Sequence, residues 1–378
     1  MLYLDHAATT RVRPEVREAM LPYLADRFGN PSSHHTVGEG AAAALADARR
    51  RVAAVFGMRA GDIVFVSGGT EANNLAVKGV ALAAALRRGS PGHVITTPIE
   101  HESVLASCAY LARVHGTEVT EVPVDATGLV DPAAVAAARR ENTDLVTIGY
   151  ANNEVGTVQD AAGLSAAADR VPLHLDAVQA AGWLPLAGTG ADALSVAGHK
   201  IGAPQGTGVL AIRGRIPVEP ILHGGGQERD RRSGTEHVAG AVGLAVALEL
   251  AEAEREAATA AASARRDRVI ERVLGSVAEA RLTGHPTRRL PGTASFTFAG
   301  VSGEAVLLEL ERRGVVSSSG SACAAGSDDP SHVLLALGIA PEVAQTAVRF
   351  TFGHHGGFDP DAVAAAVADA VAAVRAGR

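Results

Sequence analysis

Polar residues gather in five short clusters along the chain: Ser67-Gly68-Gly69-Thr70-Glu71, Glu100-His101-Glu102, Asn152-Asn153-Glu154, Asp176-Ala177-Val178-Gln179 and Gly198-His199-Lys200. Successive glycine N–H groups ahead of a helix, joined by the Thr70 hydroxyl, form a nest suited to a single phosphate. No Gly-Lys-Ser/Thr follows, so this is not a Walker loop, and taken alone it reads equally well as a plain strand–helix turn. Asp176 ends the apolar run Leu173-His174-Leu175, where a carboxylate needs a partner; a helix cap or a loop ion pair would also satisfy it. Lys200 follows Leu194-Ser195-Val196, and an amine at the end of a buried strand is partly desolvated and moved toward nucleophilic use. A surface lysine is the plainer alternative. Only two of the 34 basic residues are lysines, Lys78 and Lys200. Against that arginine bias, a retained lysine marks a place where an amine is needed, because arginine cannot form an imine.

The two cysteines differ in setting. Cys323 sits in Ser317-Ser318-Ser319-Gly320-Ser321-Ala322-Cys323-Ala324-Ala325-Gly326-Ser327, a small-residue stretch that cannot pack a core and that reads as an accessible, reactive thiol loop. Cys108, within Val104-Leu105-Ala106-Ser107-Cys108-Ala109-Tyr110, reads as a core helix residue. Other strings fail on context. Gly188-Thr189-Gly190-Ala191-Asp192-Ala193 matches a dinucleotide fingerprint but precedes a strand, not a helix. The pairs His34-His35 and His354-His355 lack a further ligand at sensible spacing, so no metal is expected. His101-Glu102 lacks the Cys-x-x-Cys of a zinc deaminase. A phosphate nest, an aspartate, a histidine and a lysine at separate strand ends together match the needs of pyridoxal phosphate. The lysine forms the Schiff base, and the aspartate keeps the ring nitrogen protonated so that the ring acts as an electron sink.

These clusters require a scaffold that brings strand ends together. The pattern predicts helices over Pro14–Leu24, Val37–Phe56, Gly68 to about Leu86, Glu102–Val114, Pro132–Arg139 and Ala161–Ala168. Strands are expected at Ile63–Val66, His93–Thr97, Glu118–Val122, Leu145–Tyr150, Leu173–Leu175, Ala193–Val196 and Gly208–Ile212. Strands alternating with helices imply a mostly parallel sheet covered on both faces, with ligands beyond the carboxyl ends of its strands. From Val238 to about Glu279 the pattern is helical and reads as a long connector. It leads into a second unit containing Ala294–Phe298, Glu304–Arg313, Val333–Leu337, Val348–Phe352 and Ala362–Arg375. The division expected is a larger unit over 12–255 and a smaller α+β unit formed by 1–11 and 256–378.

Composition narrows the class. Apolar residues make up 47% of the 378, yet aromatics only 3%, so Ala, Val and Leu must fill the core. A formal net charge of −7 argues against general nucleic-acid binding, which needs a positive surplus to displace counterions. No apolar run reaches the ~18–20 residues that span a bilayer. Two cysteines and the absence of a signal-peptide pattern after Met1 point to a reducing cytoplasm, with no membrane partner.

Leu4-Asp5-His6-Ala7-Ala8-Thr9-Thr10, Phe28-Gly29-Asn30-Pro31-Ser32, Asn152-Asn153-Glu154-Val155-Gly156, Gly224-Gly225-Gly226-Gln227-Glu228-Arg229 and Arg232-Ser233-Gly234-Thr235 carry a further signal. With them the chain resembles, from Leu4 to about Gly353, the NifS/IscS-like cysteine desulfurases of the class V aminotransferase superfamily, whose fold is the α/β fold-type I of pyridoxal-phosphate transferases. The resemblance implies that Lys200 bears the Schiff base, that Asp176 partners the pyridine nitrogen, and that His101 stacks on the ring and shuttles protons. It implies a phosphate site at Gly69, Thr70, His199 and Thr235, with Thr235 reaching across a homodimer interface, and a contact from Gln179 to the ring hydroxyl. Asn153 and Arg349 would receive the substrate carboxylate, a task suited to a bidentate guanidinium.

The implied reaction converts L-cysteine to L-alanine. Lys200 removes the α-proton, and the Cys323 thiolate takes the sulfur as a persulfide for an acceptor protein, a scaffold or a sulfur carrier. Iron–sulfur cluster assembly, tRNA thiolation and a dedicated biosynthetic pathway all stay open as destinations. Other pyridoxal-phosphate reactions, transamination or selenocysteine lysis, are the alternatives, and a thiol in the Cys323 loop is of no use to a transaminase. Two departures stand out: Ala197 occupies a position where many relatives place a phosphate-binding serine, and the segment after Arg349 is shorter than in relatives that dock a scaffold.

Overall fold

The computed structural model describes residues 1–320, 329–354 and 356–377. After β1 (Leu2–Tyr3) come α1 (Pro14–Leu24) and α2 (Thr36–Phe56), then β2 (Ile63–Val66), α3 (Gly69–Arg88), β3 (His93–Thr96) and α4 (Glu102–His115). The chain continues through β4 (Glu118–Glu121), α5 (Pro132–Ala138), β5 (Thr143–Gly149), α6 (Ala161–Ala168), β6 (Leu173–Asp176), β7 (Ala193–Ala197) and β8 (Gly208–Ile212). A long helix, α7 (Val238–Ser276), precedes β9 (Ala280–Leu282), β10 (Thr293–Phe298), α8 (Gly303–Arg312) and β11 (Val315–Val316). The last elements are α9 (His332–Ala336), α10 (Pro341–Ala344), β12 (Ala347–Thr351) and α11 (Pro360–Ala376).

The main sheet has the order β2-β8-β7-β6-β5-β3-β4. Strands β7, β6, β5, β3 and β4 run parallel, while β8 is antiparallel to both of its neighbours. This is the mostly parallel α/β sheet expected from the alternation of elements. Strand alternation sends successive side chains to opposite faces. In β8, Val209 and Ala211 join the core packed under α1, α2 and α7, whereas Leu210 and Ile212 join the core under α3. Burial on both faces explains why these strands read as unbroken apolar runs. The polar exception, His174, bridges Thr147 and Ser195 at 2.8 Å each, which stitches β5, β6 and β7 together. Burial depresses its pKa to about 4, so it is a neutral cross-strand link.

A second core holds Leu4, Val269, Val273, Phe296, Phe298, Val306, Phe350, Phe352 and Val367 around the antiparallel sheet β12-β10-β9. Four of the chain's eight phenylalanines are spent here, although the sequence is poor in aromatics. Strand β1 pairs parallel with β11, which places the N-terminal residues with this second core. Helix α7 runs unbroken from one core to the other: Leu244, Leu248 and Ala251 pack in the first, Val269 and Val273 in the second. Among the described residues, no helix is long and apolar enough to cross a membrane.

Phe296 is fully buried and touches the rings of Phe298 and Phe350. Truncating it to alanine leaves a cavity in a small core, at a cost of about 3–5 kcal/mol. Phe296→Ala is therefore expected to lower the urea midpoint of unfolding, followed by circular dichroism.

Candidate active site

The carboxyl ends of the parallel strands and the N-termini of α3 and α4 surround a cavity of about 700 Å³. Gly69, Thr70, His101, Asn153, Asp176, Gln179, His199, Lys200 and Arg349 all line it, brought from six separate stretches of chain. Lys200 closes a single helical turn, Gly198–Lys200, directly after β7. Its Nζ donates to the carbonyls of Ala7 and, at 2.7 Å, Ala8. Gln179 Nε2 donates to the same Ala7 carbonyl at 3.1 Å, so both side chains are tethered by the N-terminal segment.

Asp176 ends β6 with its side chain buried. One carboxylate oxygen accepts from the Val178 N–H at 3.0 Å and the other from Asn73 Nδ2 at 2.6 Å. Neighbouring Glu100 is fully enclosed. It accepts from the Thr97 hydroxyl at 2.6 Å, and its other oxygen, Oε2, has no hydrogen-bond partner. Burial, with the charge of Asp176 adding to it, raises the Glu100 pKa to about 8. The site thus carries one carboxylate that partners amides and a second carboxyl that stays protonated at neutral pH.

Also at the cavity, the backbone turns into α3 through Ser67 and Gly68. A Cβ on Gly69 would lie 2.7 Å from Val178 Cγ2, and a Cβ on Gly208 would lie 2.6 Å from the Gly68 backbone. Only glycine lets the α3 terminus, with its free N–H groups, sit this close to the strand ends. Ala197 Cβ faces the same point. His199 lies beside it with Nδ1 at 3.1 Å from the Thr9 hydroxyl. Burial, and then the charge of Lys200, depress the His199 pKa to about 4. A neutral imidazole offers an anion a hydrogen bond but no charge.

Arg349, on β12, is 1% exposed. Its Nη2 donates to Asp5 Oδ1 at 2.7 Å, and its Nη1 to the Asn153 carbonyl at 2.7 Å. Its buried Nε has no hydrogen-bond partner, and Arg349 lines the cavity. Thr235 does not line this cavity; it borders a separate one of about 130 Å³ with Ser67, Glu228 and Arg232, behind the α3 N-terminus. Cys323 lies outside the described residues. Cys108 is buried on α4, and burial pushes its thiol up to about 12, so it is inert as a nucleophile.

A match to the family described as Aminotransferase class-V spans residues 2–359. The chain belongs to this family, among its NifS/IscS-like cysteine desulfurases. A curated relative, "Cysteine desulfurase IscS" of Dictyoglomus turgidum, is 43% identical over 356 residues, which cover 93% of this chain and 89% of the relative. A solved structure titled "NIFS-LIKE PROTEIN" superposes with a TM-score of 0.90 at 32% identity, covering 98% of this chain and 99% of that one. Another, "SspA in complex with cysteine", gives a TM-score of 0.81 at 35% identity over 94% of this chain and 100% of that one. Class-V aminotransferases are pyridoxal-phosphate enzymes.

Sequence reading missed Asn73, Ser103, Asp5, Thr9 and the Ala7 and Ala8 carbonyls. Asn73 carried a usable signal, since it lies three residues after Thr70 and so on the same helix face. Asp5 sat within a recognised motif, but its partner is 344 residues away in sequence.

Glu100 binds its proton more tightly folded than unfolded. That contribution is complete below pH 4.5 and is lost as pH rises through 8. Glu100→Gln, neutral at every pH, is expected to remove this part of the fall in stability between pH 4.5 and 8, measured by urea denaturation across that range.

Proposed function

We propose that this desulfurase acts with pyridoxal 5′-phosphate held in the 700 Å³ cavity and converts L-cysteine to L-alanine, with the sulfur passing to Cys323. The observation that carries the reading is the convergence of one amine, Lys200, one buried carboxylate, Asp176, and one buried guanidinium, Arg349, on a single cavity. The donor set fits the group. The glycine-lined α3 terminus with Thr70 and neutral His199 suits its phosphate, Asp176 its ring nitrogen, Gln179 its hydroxyl, and Lys200 its aldehyde carbon. When bound, the group supplies an electron sink for charge developing next to the substrate amine.

The chain's own residues do the rest. Arg349, held by Asp5 and Asn153 at the cavity wall, presents its guanidinium to the substrate carboxylate and sets the orientation of cysteine. Lys200 Nζ takes the α-proton and later returns one to the product carbon. The Cys323 thiolate attacks the substrate sulfur: a new S–S bond forms as the C–S bond breaks, leaving a Cys323 persulfide and alanine. His101, at the cavity wall, orients the reacting group.

Thr235 is placed away from the cavity of its own chain, and we assign it to the phosphate of a partner subunit in a homodimer. In this reading residues 12–255 hold the cofactor, residues 1–11 and 256–378 supply Arg349 and Cys323, and the enzyme hands sulfur to an acceptor protein in the cytoplasm.

Borohydride reduction of the purified protein followed by peptide mapping is expected to find a pyridoxyl adduct on Lys200 and none in Lys200→Ala. An unmodified Lys200 in cofactor-loaded protein refutes the assignment. Cys323→Ala is expected to keep that adduct while alanine formation from cysteine drops to background. Ala197→Ser would add a hydroxyl beside Gly69, and the expected result is cofactor dissociation slowed roughly two- to tenfold, the worth of one hydrogen bond. An unchanged rate removes Ala197 from the phosphate site.

A further inference from the structure

A chain of hydrogen bonds, buried at Asn73 and half-buried where it reaches the exposed His101, links two of the proposed cofactor contacts through a residue that neither touches in sequence. Asn73 is 1% exposed on the cavity-facing side of α3. Its Nδ2 donates to Asp176 Oδ2 at 2.6 Å and to Ser103 Oγ at 2.9 Å. The orientation of the amide follows from chemistry, since the reversed amide would set its oxygen against a carboxylate oxygen at 2.6 Å. Both Nδ2 hydrogens are then committed, one to each acceptor.

Ser103 Oγ accepts from Asn73, so its own hydrogen is free to go to His101 Nδ1, 2.8 Å away. The same Nδ1 accepts from the Ser103 backbone N–H at 3.1 Å, the bond that caps α4. A backbone N–H can only donate. Nδ1 therefore carries no proton, and in the neutral ring the proton sits on Nε2. Donors run in one direction from Asn73, to Asp176 on one side and through Ser103 to His101 on the other. A second proton could enter His101 only at Nδ1, by breaking the cap of α4 and turning the Ser103 hydroxyl away.

We propose that Asn73 is a positioning residue of this site: with the Ser103 hydroxyl it joins the Asp176 carboxylate to the His101 ring, whose Nε2–H tautomer is set by the α4 cap, so that His101 is presented as a hydrogen-bond donor and not a proton acceptor. This deepens the function proposed above, and its cofactor half rests on that reading, whereas the tautomer stands on the protein's own bonds. The α-proton is then left to Lys200, and His101 contributes a fixed ring and one N–H.

The test uses the full chain labelled with ¹⁵N-histidine, with and without added pyridoxal phosphate, and with the His101 signals assigned by their loss in His101→Asn. The expected ring pattern is an unprotonated Nδ1 and a protonated Nε2 near neutral pH. Asn73→Ala and Ser103→Ala are each expected to raise the cofactor dissociation constant roughly tenfold, and the double variant no more than the weaker-binding single one, because either change breaks the same relay. Independent structural damage would instead multiply in the double variant, and that result overturns the proposal. So does a protonated Nδ1 in the wild-type ring. Should Asn73→Ala fail to fold, Ser103→Ala, which keeps the backbone cap, and the wild-type ring pattern still decide. A chain that shows the expected ring pattern but binds no pyridoxal phosphate overturns the proposed function and leaves the tautomer assignment standing.

Discussion

A buried guanidinium survives only with partners, and the Arg349–Asp5 ion pair at 2.7 Å is the contact around which the two cores are joined. Arg349 belongs to β12 of the smaller core, the Asn153 carbonyl it bonds belongs to the larger one, and Asp5 comes from the N-terminal segment between them. That segment continues the linkage. Leu4 is buried in the second core, Ala7 and Ala8 receive the Lys200 amine, and Thr10 donates to the His199 carbonyl at 2.8 Å. Seven residues from Leu4 to Thr10 thus tie the buried Arg349 to the lysine turn. Without the pair, a desolvated charge would be left beside the cavity and the two cores would lose their common reference.

Around this tie, the parallel sheet does the positioning. Strands β3, β5, β6 and β7 all end at the same edge, so His101, Asn153, Asp176 and Lys200 meet although they are far apart along the chain. The glycines at the α3 terminus let helix N–H groups approach that edge. Rigid strands fix the reacting groups to within the small tolerance that catalysis requires.

Burial then sorts chemically similar groups into different roles. His174 and His199 are held neutral, the first as a strand link and the second beside Thr9 and Lys200 at the cavity wall. Burial raises the Glu100 pKa to about 8, while Asp176 is held in contact with an amide and a backbone N–H. Cys108 is silenced by its helix-side packing. The same residue types, moved into other surroundings, would do different work.

The element order was legible from the sequence, with α1, β2, α6 and β8 falling where periodicity and turn residues put them. So were the clusters at the strand ends, because Gly-Gly-Thr, a lone lysine and a carboxylate after an apolar run are unusual enough to be noticed without neighbours. A pattern along one chain records what each residue is and which face its segment can bury. It holds no record of which distant side chain will share a hydrogen. Asp5 with Arg349, Asn73 with Asp176, and the Lys200 amine with two alanine carbonyls exist only once separate segments are packed. The raised pKa of Glu100 is likewise a property of enclosure, since the same side chain in water would ionise normally. Sequence determined the chemical inventory and the scaffold, because local propensity and apolar period are local properties. Tertiary structure decided the pairings and the proton positions, because dielectric and hydrogen-bond partners are set by what lies nearby in space.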